Sequence, residues 1–256
     1  MLRSFSPVSD DEPRVSVQTD HVLRPAYPWT PTVHALLVHL TADGFDAVPR
    51  PIGLADGFET LSYLPGESGA SGWAKIVPEE GLRAFARFLR RYHDASMGFA
   101  PPSPSAPWAF RSGLAAPGEV ICHGDFGTWN VVWRGDQPVG LLDFDLAEPG
   151  VPLLDVAYAL QYAAPFCDDE ESIRWHAYSE PPDRRRRIEV FAEAYGLSGT
   201  GGLVDAVIER QELDVHHVRS LAARGFEPQR TWVRRGTLDD LTVRVQWSRE
   251  HRCLFE

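Results

Sequence analysis

Residues 120–145 read VICHGDFGTWNVVWRGDQPVGLLDFD, and this stretch decides how the 256-residue chain is interpreted. Three short apolar runs alternate with polar segments, which predicts a strand, a tight loop, a second strand, a turn and a third strand. The first run leads into His123-Gly124-Asp125, and the third delivers Asp143. Carboxylates that follow apolar strands are costly to bury unless they meet a cation or a proton-transfer partner. The stretch therefore predicts a chemical site at a sheet edge or in a cleft.

Three oxygen-bearing side chains, Asp125, Asn130 and Asp143, are brought together by this hairpin. Mg²⁺ prefers hard oxygen ligands and takes few of them from protein. In phosphoryl transfer two such groups hold the metal, and a third accepts a hydrogen bond from the attacking hydroxyl. The three side chains therefore match the parts that phosphoryl transfer needs.

The spacing also resembles a known family. HGDFGTWN at 123–130, followed by DFD at 143–145, is similar to the H-G-D-x-x-x-x-N and D-x-D pair of aminoglycoside phosphotransferases. PLLDVA at 152–157 resembles the P-x-x-D-L-A helix start of that family. The family is related to choline kinases and has the protein-kinase-like fold. The resemblance thus implies an α+β protein with a small β-rich N-lobe and a larger, mostly helical C-lobe.

Each matching position acquires an expected role from this resemblance. Asp125 is expected to orient the acceptor hydroxyl and to take its proton. His123 is expected to support the loop through hydrogen bonds, with acid–base chemistry as the alternative. Asn130 and Asp143 are expected to bind Mg²⁺, and Asp145 either touches a second metal ion or braces the loop.

The resemblance also implies which residues support the loop and which bind the nucleotide. Asp155 is expected to bond loop amides from a helix N-terminus and so to act as structural support. The nucleotide is expected between the lobes, where hinge backbone at Ser62, Tyr63 and Leu64 matches the positions that read adenine. ATP is the expected nucleotide, and the sequence leaves GTP open.

The N-lobe departs from the family pattern. No Gly-rich loop precedes residue 44, and the expected strand lysine is missing because Lys75, the only lysine, lies beyond the hinge. Arg24 is the best substitute, since it keeps the charge and can bind phosphate as a fork. An exposed strand arginine is the alternative. The helix glutamate that pairs with such a lysine has no match among residues 33–35, so the usual ion pair is expected to be absent.

Periodicity outside the central stretch supports two lobes. The boundary is placed at Pro65-Gly66, which gives an N-lobe of 1–66 and a C-lobe of 67–256. Strands are predicted at 13–25, 51–54 and 59–64, with the last two forming a hairpin, and helices at 32–43, 79–97, 184–195, 203–224 and twice between 228 and 250.

Two charged clusters of the C-lobe have less specific meaning. The run of Asp168, Asp169, Glu170 and Glu171 either binds amino groups of an acceptor or forms a surface loop and helix N-terminus. The four arginines at 184–187 are expected on a solvated helix face, with a phosphate or partner site as the alternative.

Composition limits the partners. The net charge of −11 argues against nucleic acid and anionic membranes, which both need excess Lys and Arg. The polar N-terminus lacks a secretory apolar region, and no run reaches the roughly 18 apolar residues of a membrane span. Three cysteines, far apart, fit a reducing cytoplasm. The oligomeric state is left open.

These observations lead to a Mg²⁺- and ATP-dependent phosphotransferase that acts on a hydroxyl of a small, amine-bearing molecule. A second hypothesis is a weakly active or inactive binding module of the same fold, including a peptide-immunity protein, because the Gly-rich loop, lysine and glutamate are missing. A kinase for protein substrates is disfavoured, since residues 149–152 lead directly into the Asp155 helix without an activation segment.

Overall fold

The computed structural model describes residues 15–256, which form a small β-rich lobe and a larger helical lobe. The strands are β1 Ser16–Val17, β2 His21–Pro25, β3 Pro51–Ala55, β4 Phe58–Ser62, β5 Val120–Cys122, β6 Val131–Arg134, β7 Gln137–Leu141 and β8 Glu148–Gly150. The helices are α1 Thr30–Ala42, α2 Gly72–Lys75, α3 Glu79–Ser96, α4 Leu153–Ala163, α5 Asp169–Trp175, α6 Arg184–Tyr195, α7 Leu203–Ala223, α8 Gln229–Arg234 and α9 Thr237–Glu250.

The N-lobe is a four-stranded antiparallel sheet in the order β1-β2-β4-β3, with α1 beside it. The predicted hairpin is confirmed. Asp56 and Gly57 connect its strands with φ of 52° and 78°, the left-handed conformations that a two-residue hairpin turn requires. The run predicted over 13–25 is interrupted and gives β1 and β2, and residues 13 and 14 lie outside the described part.

The helices follow the apolar periodicity. In α3, Leu82, Phe85, Phe88, Leu89 and Tyr92 are each at most 1% exposed. Burial of one such side chain contributes roughly 1.5–3 kcal/mol, so this face anchors the C-lobe. The predicted helices α1, α3, α6 and α7 are observed within one or two residues of their expected limits, and the two helices expected between 228 and 250 are α8 and α9. No helix within residues 15–256 combines the length and apolarity that crossing a bilayer would need.

The central stretch folds as predicted, with one addition. β6 and β7 form the expected antiparallel hairpin. β5 does not join it and pairs instead with β8, a strand that the sequence did not reveal. The polar loop after β5 and the residues after β7 nevertheless lie side by side, because Gly124 packs against the Leu146 carbonyl.

The chain between the lobes runs close to the hairpin. Glu67 exchanges two backbone hydrogen bonds with Trp133 of β6, at 2.8 and 2.7 Å. A Cβ on Gly66 would lie 2.5 Å from Val132 Cγ1, so only glycine fits this approach. The division at Pro65-Gly66 remains a prediction.

The arginine tetrad of α6 differs from its predicted solvated face. Arg184 and Arg187 are only 4% and 6% exposed. Arg184 donates to the carbonyls of Pro165 and Cys167, and Arg187 donates to those of Val77 and Ala163. Two of the four guanidinium groups are therefore internal cross-links, because residues three apart on a helix share its inward face.

Candidate active site

The loop after β5 carries His123, Gly124 and Asp125 in a sharply constrained turn. Gly124 has φ of 80°, and a Cβ there would lie 2.1 Å from the carbonyl oxygen of Leu146. Only glycine allows this conformation and this close approach. The loop and the segment after β7 are thereby packed backbone against backbone.

Asp155 holds the same loop from below. Its fully buried carboxylate accepts hydrogen bonds from the backbone N–H of His123 at 2.6 Å and of Gly124 at 2.9 Å. Nε2 of His93 lies 3.0 Å from the carboxylate, and Nδ1 of His93 is 2.7 Å from the Tyr195 hydroxyl. Burial alone would raise the pKa of Asp155, but the hydrogen bond from His93 and the loop amides lower it. Asp155 therefore stays ionised and positions the loop.

Both ring nitrogens of His123 form hydrogen bonds with backbone groups. Nε2 donates to the carbonyl of Leu142 at 2.8 Å, and Nδ1 accepts from the N–H of Asp125 at 3.3 Å. The ring is fully buried, and burial lowers its pKa. A neutral ring with both nitrogens engaged is suited to joining the two loops, which favours support over acid–base chemistry.

The carboxylate of Asp125, the third residue of this loop, is held by two neighbouring side chains. Tyr158 of α4 donates its hydroxyl to Oδ1, and Nδ2 of Asn130 donates to Oδ2 at 2.9 Å and to the Asp125 carbonyl at 2.9 Å. Burial and the charge of Asp143 raise the pKa of Asp125 to about 7. Because Asn130 uses its nitrogen here, its Oδ1 is the atom that can bind a cation.

The residues after β7 place two carboxylates opposite Arg24. Asp143 adopts a left-handed conformation, with φ of 62°, which is strained for a residue with a side chain. Arg24 Nη1 is 3.2 Å from Asp143 Oδ1, and its Nη2 pairs with Asp145. The Asp143 side chain is nevertheless 45% exposed. Burial would raise the pKa of Asp143, but Arg24 holds it below its usual value.

Arg24 has a third partner that the sequence interpretation missed. Glu59 of β4 lies directly opposite Arg24 of β2, and Arg24 Nε is 2.9 Å from Glu59 Oε1. The other oxygen of Glu59 is 2.7 Å from Nε2 of His34 in α1. The helix contributes a histidine to this network, and a strand supplies the carboxylate. Lys75 is remote from this network and pairs with Glu67 at 3.3 Å.

The charges of this cleft fit a divalent cation. Glu59, Asp143 and Asp145 surround one guanidinium, that of Arg24, which leaves an excess of negative charge. Burial and the charge of Asp143 hold the pKa of Asp145 well above its usual range. A bound cation would relieve this repulsion, and carboxylate and amide oxygens are the donors that Mg²⁺ takes. The set Asn130, Asp143 and Asp145 is thus suited to hold one.

Some polar groups of the predicted hinge residues are already hydrogen-bonded within the protein. Ser62 donates its N–H to the carbonyl of Arg50 at 2.9 Å, and its hydroxyl accepts from the Arg50 N–H at 2.8 Å. Tyr63 donates its N–H to the carbonyl of Asp20 at 2.9 Å. Leu64 is half-buried and lies against Gly140 of β7. Adenine binding at this segment stays a prediction.

The acidic run of the C-lobe is engaged with its own neighbours. Asp168 caps α5 by accepting from the N–H of Glu171 at 2.7 Å. Asp169 pairs with Arg184 at 2.9 Å, and Glu170 and Glu171 pair with Arg174 and Arg244. The run therefore forms a helix N-terminus, one of the two readings left open, and its role in amine binding stays a prediction.

A set of aromatic side chains adjoins Asp125. Trp129 and Tyr162 pack edge to face with ring centroids 4.8 Å apart, and both contact Tyr158, the hydrogen-bond partner of Asp125. Trp73 of α2 packs against Trp129 and Tyr162. We call Trp73, Trp129, Tyr158 and Tyr162 the aromatic wall. Trp129 is partly exposed beside the loop of residues 123–125, which we call the catalytic loop because it carries the candidate base Asp125.

Arg210 of α7 is a further support of the loop, and no motif or spacing in the sequence indicates it. It donates to the carbonyl of Gly124 at 2.7 Å, pairs with Asp214 at 2.8 Å and lies 4.6 Å from the Tyr158 ring centroid. The catalytic loop and the aromatic wall are thus connected through one guanidinium. Only the packing of α7 on α4 brings these groups together.

Sequence comparison finds two matches to known proteins. The model of the phosphotransferase enzyme family matches residues 107–190, which contain the catalytic loop, the hairpin and Asp155. Trifolitoxin immunity protein of Rhizobium leguminosarum bv. trifolii is 37% identical over 195 residues, which cover 73% of this chain and 72% of the relative.

Solved structures share the fold. An amicoumacin kinase in complex with AMP-PNP and Ca²⁺ has a TM-score of 0.58 at 10% identity and covers 95% of this chain and 90% of that one. Aminoglycoside 2′-phosphotransferase-IIIa, in its GDP complex, has a TM-score of 0.57 at 13% identity, and the match covers 98% of this chain and 92% of that one. A macrolide 2′-phosphotransferase from Brachybacterium faecium has a TM-score of 0.53 at 16% identity, and the match covers 82% of each chain. The predicted α+β, two-lobed kinase-like fold is confirmed.

Proposed function

The chain belongs to the phosphotransferase enzyme family, and on that premise we propose that it transfers the γ-phosphoryl group of ATP to a hydroxyl of a small, amine-bearing molecule. Mg²⁺ is the proposed metal, and GTP is the alternative nucleotide. The nucleotide is assigned to the cleft between an N-lobe of residues 1–66 and a C-lobe of residues 67–256.

The observation that carries this proposal is the convergence of Asp125, Asn130 and Asp143. Nδ2 of Asn130 lies 2.9 Å from Oδ2 of Asp125, and burial together with the charge of Asp143 raises the pKa of Asp125. We assign the Asp125 carboxylate to the hydroxyl, and the amide oxygen of Asn130 and the carboxylate of Asp143 to the metal. Phosphoryl transfer needs one group that orients the attacking hydroxyl and further groups that bind the metal.

Asp125 is the proposed base. An acceptor hydroxyl that donates to its carboxylate is oriented toward the phosphorus atom, and the hydroxyl proton passes to Asp125 as the new O–P bond forms and the bond from phosphorus to the β–γ bridging oxygen breaks. Asn130 and Tyr158 fix the carboxylate on both sides, which limits the orientations it can adopt. Such positioning supplies a large part of the rate enhancement in this chemistry.

The nucleotide side is assigned to Arg24 and its partners. A divalent cation bound by Asn130, Asp143 and Asp145 would supply charge neutralisation for the phosphates. Arg24 stays anchored to Glu59, and its Nη atoms already point toward the two carboxylates at the cleft. These atoms are the ones that would reach phosphate, which is why Arg24 is proposed in place of the missing lysine.

The acceptor is assigned to the aromatic wall. Flat aromatic faces bind apolar rings and attract ammonium groups, and they flank the carboxylate that receives the hydroxyl. This arrangement supports a small molecule with a hydroxyl near a cationic or apolar group. It also agrees with the net charge of −11.

Product formation from a set of amino alcohols and aminoglycosides, with ATP or GTP and Mg²⁺, tests the proposal. We expect Asp125→Asn to lower kcat by 10²- to 10⁴-fold, the usual range for removing a general base. Asp136→Asn, which changes an exposed carboxylate in the turn of the hairpin, is the matched control and should leave kcat unchanged. Transfer that persists at the wild-type rate in Asp125→Asn would refute the assignment.

A second candidate function is protection against a peptide toxin, with or without phosphoryl transfer. It is favoured by the 37% identity to a trifolitoxin immunity protein. Expression of the chain in a toxin-sensitive strain tests it, with Asp125→Asn expressed alongside. Protection by the wild type and loss in the variant would join the two functions, equal protection by both would favour a binding module, and no protection would remove this candidate.

A further inference from the structure

Three side chains around α5 converge away from the catalytic loop. Cys167 precedes the helix, Glu171 lies in its first turn and His176 follows its last residue. Their potential ligand atoms, one sulfur, one carboxylate oxygen and one ring nitrogen, all lie within 4.8 Å of one another. A helix that begins and ends in such groups brings them to one side over little more than two turns.

Two of these groups have a buried atom without a hydrogen-bond partner. Oε2 of Glu171 and Nδ1 of His176 are both enclosed and unpaired. His176 is 4% exposed. In the tautomer with its proton on Nε2, the unpaired Nδ1 presents a lone pair, as the coordinating nitrogen of a metal-binding histidine does.

The protonation of the ring agrees with this arrangement. Burial and the nearby charge of Arg244 lower the pKa of His176 to about 4, so the ring is neutral at pH 7. Burial raises the pKa of Cys167 to about 12, so the thiol is protonated until something displaces its proton. Sγ of Cys167 lies 3.4 Å from Oγ of Ser172.

The charges around the three side chains are nearly balanced without a cation. Arg184 pairs with Asp169, Arg244 pairs with Oε1 of Glu171, Asp168 caps the helix, and the charge of Arg187 also acts on His176. Three guanidinium groups thus face three carboxylates, and a thiolate at Cys167 would bring the net charge to −1, which a divalent cation would offset. Arg244 uses only Oε1 of Glu171, which leaves Oε2 for a ligand.

We propose that Cys167, Glu171 and His176 bind a structural divalent transition metal, for which Zn²⁺ has the most suitable donor preference. Thiolate, imidazole and carboxylate are the usual protein ligands of Zn²⁺, whereas Mg²⁺ and Ca²⁺ prefer oxygen alone. On binding, a Zn–S bond forms and the Cys167 proton is released to solvent. A fourth position is left for water.

Such a metal would act on the acceptor side of the cleft. The His176 ring packs 4.5 Å from the ring of Trp73, and it also contacts Tyr162. Both belong to the aromatic wall. Fixing His176 would therefore hold that wall in place without any contact between the metal and the reacting groups.

The full-length chain, freed of metal by chelation, is titrated with Co²⁺ in millimolar Mg²⁺, which keeps the oxygen ligands of the cleft occupied. We expect one equivalent of Co²⁺ to bind with a thiolate-to-cobalt absorption band, and Zn²⁺ to displace it. Cys167→Ser and His176→Gln should abolish the band and weaken Zn²⁺ binding at least tenfold, while Cys253→Ser, which removes an exposed cysteine, should behave as wild type. Far-ultraviolet circular dichroism checks that each variant is folded.

The opposite results are equally defined. A folded wild-type chain that binds no Co²⁺ or Zn²⁺ at micromolar metal would overturn the site, as would binding that survives in Cys167→Ser and His176→Gln. Because binding is read by absorbance and metal content, its failure leaves the phosphotransferase proposal untouched, and the failure of that proposal leaves this one standing.

Discussion

Replacing Asp155 with asparagine tests the support of the catalytic loop. The carboxylate accepts from His123 N–H and His93 through one oxygen and from Gly124 N–H through the other. Asparagine has the same shape but only one oxygen, so its NH₂ group must face an N–H of the loop or the ring of His93. No water can relieve this contact, because the site is fully buried.

The expected cost follows from these bonds. A hydrogen bond to a charged group contributes about 1.5–3 kcal/mol, and a buried donor without an acceptor costs about 1–3 kcal/mol. We therefore expect Asp155→Asn to lower the free energy of unfolding by about 3 kcal/mol. The loop is displaced as the donors move apart, and a shift of about 1 Å at Asp125 is enough to lower kcat about 10²-fold.

Urea denaturation followed by circular dichroism measures the first quantity, and steady-state transfer under conditions where the variant is folded measures the second. The KM for nucleotide should change little, since Arg24 and Glu59 lie on other strands. Asp136→Asn is the control for an exposed carboxylate. If Asp155→Asn kept both the wild-type stability and the wild-type kcat, the argument that Asp155 positions the loop would be wrong.

Three further predictions follow from particular contacts. Gly124→Ala should lower the free energy of unfolding by more than about 2 kcal/mol and reduce kcat, because its Cβ would lie 2.1 Å from the Leu146 carbonyl oxygen. Gly135→Ala is the control, since Gly135 also has a positive φ but lies in open space, and it should cost only about 1 kcal/mol. Equal losses of stability in the two variants would contradict this explanation. Glu59→Gln should raise the KM for nucleotide about tenfold and destabilise the fold by about 3 kcal/mol, because it leaves Arg24 without its buried partner; an unchanged KM would count against the role of Arg24. Burial lowers the pKa of His217 to about 3, so the unfolded chain binds a proton below its ordinary pKa of 6.5 and the folded chain does not. The wild type should thus lose about 2 kcal/mol of stability between pH 7.5 and 5 relative to His217→Gln, and a parallel pH profile of the two proteins would exclude this explanation.

The sequence predicted those features that depend on local spacing. The catalytic loop, the hairpin and the Asp155 helix lie within about forty residues, and the apolar period of α1, α3, α6 and α7 gave their limits to within two residues. Such features follow from turn chemistry and periodicity, which a short window of sequence contains.

Features that depend on long-range pairing could not be predicted in this way. Glu59 reaches Arg24 only because β4 pairs with β2 in one register, and the strand pairing was not readable from either segment. Arg184 and Arg187 are expected on a solvated face because arginine side chains are mostly exposed, whereas here internal carbonyls accept their hydrogen bonds. Tyr158 and Arg210 required knowledge of how α4 and α7 pack.

The pairing of Arg24 with Glu59 has a consequence for regulation. In protein kinases the equivalent lysine pairs with a glutamate on a helix, so helix position controls whether the pair exists. Here the two partners face each other across adjacent strands, whereas α1 contributes the contact of His34 to Glu59 and packs against residues 144–146. A swing of α1 would break the His34 contact and disturb the segment of Asp145, but it would leave the pairing of Arg24 with Glu59 in place. This one ion pair therefore forms with the sheet and lasts as long as the sheet does, whatever the position of the helix.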